Sequence, residues 1–70
     1  MLIRSVENFL RRHRLSATLF GREAAQDPRL VLDLRNGRAP RAPLDHRVRG
    51  WMDGFEYAQS LISQETTDAR

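Results

Sequence analysis

The chain has 70 residues, no cysteine, and twelve basic residues against nine acidic ones, for a formal net charge of +3. A chain this short builds one core at most, and without cysteine it has neither a disulfide nor a thiolate metal site to staple it. No apolar run approaches the roughly 18 residues of a membrane span, so the sequence reads as that of a cytoplasmic protein.

All twelve basic residues are arginine, the side chain best shaped for bidentate contact with phosphate and guanine. Their distribution is uneven. Residues 1–49 hold eleven Arg against five acids, a net +6, and residues 50–70 hold one Arg against four acids, a net −3. A basic front and an acidic rear suit a protein that lays one side on a polyanion.

Residues 5–14 read as the first helix, with Ser5 as its cap. Val6, Phe9, Leu10 and His13 recur at helical spacing, and Leu15 closes the stripe. Arg4, Arg11, Arg12 and Arg14 fall on the other face. They suit the negative pole of the helix dipole as well as they suit phosphate. His13 reads as a packed or exposed histidine rather than a metal ligand.

Ser16 is a good N-cap for a second helix over 17–25. Leu15 and Phe20 stand at the two ends of a hydrophobic staple. Asp27-Pro28 is the next start signal, because Asp caps and Pro tolerates the first helical position. The third helix is then expected over 28–36, ended by Gly37. Gly21 and Ala24 are the small residues that allow a steep crossing, with Val31 and Leu34 facing them and Leu30 joining the core.

That leaves Arg29, Leu32, Asp33 and Asn36 pointing outward. Arg matches guanine, Asn matches adenine, and Leu packs on a thymine methyl. Asp33 either accepts from cytosine or holds Arg29 four residues back. Ser16, Thr18, Arg35, Arg38, Arg41 and Arg47 are the phosphate candidates. Each outward residue of the third helix also reads as ordinary surface charge.

Residues 37–44 are expected to form a basic loop, broken by Gly37, Pro40 and Pro43. Residues 45–64 read as a long C-terminal helix of about 30 Å. Val48, Trp51, Met52 and Phe55 should close the core. Tyr57, Ala58, Leu61 and Ile62 lie beyond it and invite a second copy, unless the stripe folds back onto the first helix. Residues 65–70 read as a polar tail.

On these residues, Ser16–Arg38 resembles the phage-repressor-like (Cro-like, lambda-repressor-like) helix-turn-helix family. The features that match are the capped helix carrying Phe20-Gly21, the following helix with Val31 and Leu34, and the closing Gly37-Arg38 with Pro40 and Pro43 after it. The family usually has Gly in the turn, where this chain has Ala25 or Gln26. It often has an acid two residues before the closing Gly, where this chain has Arg35. The resemblance spans roughly Ser16 to Phe55. It implies an all-α domain of four to five helices over residues 1–64, with the helix-turn-helix at 17–36.

There is no Gly-rich phosphate loop, no His/Cys cluster, and no acid pair set in an apolar stretch. A non-enzyme is expected, with no cofactor, no metal and no small-molecule substrate. The leading expectation is a homodimeric transcriptional regulator, most simply a repressor. It would bind double-stranded DNA at the nucleoid and place residues 28–36 in the major groove. An adaptor or antitoxin-like partner on the same fold is the alternative, and non-specific nucleoid binding a third reading.

Overall fold

The computed structural model describes the backbone of residues 1–68 and the side chains of residues 1–62. Among the described residues it contains four helices and no strand: α1 (Leu2–His13), α2 (Ala17–Ala25), α3 (Leu30–Arg35) and α4 (Ala42–Asp68). Among the described residues, no helix is long and apolar enough to cross a membrane.

α1 buries Leu2, Val6, Phe9 and Leu10, one stripe at helical spacing. It begins four residues earlier than the cap reading of Ser5 implies, because burial of Leu2 extends that stripe by a turn. Ser5 lies inside the helix, and its N–H donates to Met1 O at 3.3 Å. Arg11, Arg12 and His13 occupy the last turn, where cations meet the negative end of the dipole. The helix stops at Arg14, whose φ of 54° is left-handed. Leu15 N–H then reaches back to Leu10 O at 3.1 Å, the six-to-one bond of a Schellman turn.

α3 packs on α2 and α1, and α4 packs on α2. Phe20, Leu30, Val6, Val31 and Val48 are wholly buried where these helices meet. Phe9 is the aromatic centre, with ring centroids 5.6 Å from Phe20, 5.9 Å from Trp51 and 5.4 Å from Phe55, all edge-on. Such edge-to-face pairs add to the apolar area they bury.

α4 differs most from the sequence reading. It starts at Ala42 rather than residue 45, because Pro43 occupies its first turn, where the missing N–H has no helical partner to lose. Asp45 N–H donates to Arg41 O at 2.9 Å, so the helix is already running at residue 45, where it was expected to begin. The expected loop 37–44 is therefore shorter. At the other end the helix continues through Asp68. Residues 65–68 of the expected tail are thus helical, and residues 69–70 lie outside the described residues. Twenty-seven helical residues span about 40 Å, which explains an envelope of 47 × 21 × 20 Å.

Trp51 and Phe55 pack against Phe9 of α1, so the first half of the stripe closes the core as expected. Beyond Phe55 the stripe leaves the core. Tyr57 is 67% exposed and Leu61 42% exposed, and Ala58 beside them is exposed. Ile62 is also on the exposed side.

Candidate nucleic-acid interface

The site is built on the α2–α3 corner. Ser16 caps α2, its Oγ accepting from Leu19 N–H at 3.1 Å. That hydroxyl, read as a phosphate donor, serves its own helix as an acceptor. Thr18 is exposed in the first turn. α2 ends at Gln26, which takes a left-handed φ of 54°, a conformation that glycine adopts most readily. Asp27 N–H then donates to Gly21 O at 3.0 Å. Gly21 is buried, and Leu30 Cβ stands 3.3 Å from the position a Cβ on residue 21 would take.

α3 begins at Leu30, not at Pro28, and the reason lies in Asp27. Its Oδ1 accepts from Arg29 N–H at 3.0 Å, and its carbonyl accepts from Leu30 N–H at 3.0 Å. These two bonds close a turn over Pro28 and Arg29 before the helix starts. Asp local bonding of this kind competes with helix. Arg29 is therefore the N-cap and Asn36 the C-cap of a six-residue helix.

Leu30, Val31 and Leu34 are buried. On the opposite side Arg29, Leu32 and Asn36 are exposed, at the i, i+3, i+7 spacing of one helical row. None of the three takes part in an ion pair among the described residues.

The flanks are different. Arg35 reaches Glu7 on α1 through both Nε (2.7 Å) and Nη2 (2.9 Å). The hydrogen bonds from Arg35 hold the Glu7 carboxyl below its usual range, and Glu7 in turn pushes the Arg35 guanidinium up. Arg38 Nη1 stands 3.4 Å from Asp27 Oδ2 and 3.4 Å from Asp33 Oδ2. Its backbone N–H also donates to Asp33 O at 2.9 Å. Asp33 thus faces Arg38; the reading in which it holds Arg29 is corrected. Arg35 and Arg38, both phosphate candidates, face acids of their own chain. Arg41 and Arg47 are exposed and lie outside the ion pairs of the described residues.

Sequence reasoning missed Glu7 as a partner of Arg35. The two are 28 positions apart, beyond any helical spacing rule. It also missed a clasp between α1 and α4. His13 Nε2 lies 2.9 Å from Glu56 Oε2, and Arg12 donates to the same oxygen. The His13 ring is tilted against Phe9 at 4.5 Å and edge-on to Phe55 at 4.8 Å. His13 first and Arg12 second hold the Glu56 carboxyl below its ordinary value.

No protein-family model, no curated protein and no solved structure matches this chain.

Proposed function

We propose that the protein binds double-stranded DNA, reads sequence with the outer row of α3, and regulates transcription. One observation carries the reading: Arg29, Leu32 and Asn36 form an exposed row, while the acid beside it, Asp33, faces Arg38. A free carboxylate there would repel phosphate. With Arg38 opposite, the face offers donors and an apolar side chain to a groove.

Arg41 and Arg47 supply positive charge that is not committed to acids among the described residues. In this reading they bind phosphate and set orientation, while α3 reads bases. The helix-turn-helix resemblance of Ser16–Arg38 supports the same assignment. The exposed Tyr57, Ala58 and Leu61 support a homodimer through the far end of α4, which would set the spacing of two half-sites.

The test is mobility of a random-sequence duplex over a salt series. Retardation at low salt that falls steeply as salt rises is expected, because several phosphate contacts release counterions. No retardation at low salt overturns the reading. A second reading, an adaptor or antitoxin-like partner, draws on two exposed leucines, Leu19 on α2 and Leu32 on α3. A protein that lacks retardation but co-purifies with a partner supports it.

A further inference from the structure

Resting on α3 as the reading helix, we infer that its outer row selects a window of four base pairs in fixed order. A guanine is read by Arg29, a thymine methyl lies under Leu32, and an adenine is read by Asn36. Arg38 contributes by shielding Asp33 rather than by touching phosphate.

The order follows from helix geometry. Counting the caps Arg29 and Asn36 with α3 at a rise of about 1.5 Å per residue, Leu32 lies about 4.5 Å and Asn36 about 10.5 Å beyond Arg29 along the axis. Base pairs of B-DNA stand about 3.4 Å apart. The three side chains therefore sit over roughly the first, second and fourth pairs of a window. Their chemistry assigns the bases. A guanidinium gives two parallel donors to O6 and N7 of guanine, and a carboxamide both donates to and accepts from adenine at N7 and N6. An aliphatic side chain has only the thymine methyl to bury against in that groove.

The structure also says which α3 side chains stay silent. Arg35 commits both Nε and Nη2 to Glu7, so it is not the guanine reader. Asp33 would favour cytosine if free, but its Oδ2 faces Arg38 Nη1 at 3.4 Å. Arg38 spends the same nitrogen on Asp27 Oδ2. A cation between two carboxylates has little net charge to offer a phosphate. Its removal uncovers an anion beside the row.

Selection of bound fragments from a random duplex pool tests this, run with the wild-type chain and with Arg29→Ala, Asn36→Ala, Arg38→Ala and the double variant Arg38→Ala/Asp33→Asn. All four substituted positions lie at or near the surface, and circular dichroism confirms that each variant is folded. Wild-type fragments should share guanine, thymine and adenine in that order within four base pairs. Arg29→Ala should erase the guanine alone and Asn36→Ala the adenine alone, each with about a tenfold loss on the wild-type site. Arg38→Ala should bind that site more weakly, and Asp33→Asn in the same chain should restore most of the loss. Enriched fragments in another order overturn the window while leaving DNA reading intact. A double variant as weak as Arg38→Ala alone overturns the shielding role. No enrichment with the wild-type chain overturns the assignment of α3 as a reader itself.

Discussion

The backbone of Asp27 closes directly over Gly21. Asp27 N–H donates to Gly21 O at 3.0 Å, and the Asp27 carbonyl oxygen lies under 3.0 Å from where a Cβ on residue 21 would stand. A methyl group there meets backbone, which has no rotamer to yield. Gly21→Ala is therefore expected to open the α2–α3 corner and lower stability by about 3 kcal/mol, the upper end of overpacking costs. Urea denaturation followed by far-ultraviolet circular dichroism checks it. An unchanged midpoint means that the corner is not closed on Gly21.

Gln26 is the opposite case. It holds φ 54° at the end of α2, a conformation that costs a residue with a Cβ about 1 kcal/mol or more. Glycine adopts it freely but loses more freedom on folding. The net expectation for Gln26→Gly is a gain of about 0.5–1 kcal/mol, read as a higher denaturation midpoint. A lower midpoint would show that the Gln26 side chain contributes more than its backbone costs.

These two residues mark how far local rules reach. The Ser16 cap placed α2 correctly, and the glycine on its inner face announced a close crossing. The same rules misplaced the start of α3, because Asp27-Pro28 suits a helix start and an Asx-bonded turn equally well. They misplaced the start of α4 because Pro43 was read as a breaker, although proline is tolerated in a first turn. The outward row of α3 was legible because Val31 and Leu34 fix which way the helix faces. What accompanies it was not. Glu7 with Arg35, Asp27 with Arg38, and Glu56 with His13 join residues 11 to 43 positions apart. Only the packed helices bring such pairs together.

Two of those acids set an acid-side limit on stability. The carboxyls of Glu7 and Glu56 both lie below the ordinary glutamate value, mainly through bonds from Arg35 and from His13 with Arg12. A value lowered by folding means that the ionised form favours the folded state. That contribution is complete above the unfolded value near 4.3 and disappears as pH falls through the lower folded value. Stability should therefore decline on acidification through this window. Glu7→Gln and Glu56→Gln should each flatten the decline while leaving a modest deficit at neutral pH, since surface pairs contribute little. Denaturation midpoints measured from about pH 7 to about pH 3 decide it; profiles parallel to wild type would remove these pairs as the cause.

Arg41 and Arg47 lie outside the ion pairs of the described residues, so removing either leaves no acid among those residues uncovered. Arg41→Ala and Arg47→Ala are expected to keep the fold and its stability within about 0.5 kcal/mol. Each should weaken binding to every duplex alike and reduce the slope of log affinity against log salt by about one. Titrations of two unrelated duplexes at several salt concentrations provide both quantities. A loss confined to one duplex would make the residue a base reader and contradict its placement.

The far half of α4 gives the last expectation. From Gly54 to Gln64 the sequence has a single charged residue, Glu56, and that carboxylate is already held by Arg12 and His13. Two such surfaces meeting about a two-fold axis bring few charges together, and Tyr57 and Leu61 gain the burial that their own core does not give them. Gly54 beside them has nothing within 4 Å of an added Cβ, so one face of this segment lies open for a second helix. The wild-type chain should sediment as a dimer at micromolar concentration. Leu61→Glu should sediment as a monomer that remains helical, because residue 61 lies outside the core, and it should bind a two-half-site duplex more weakly than wild type. A wild-type chain that stays monomeric at high concentration would remove the dimer and leave each α3 to act alone.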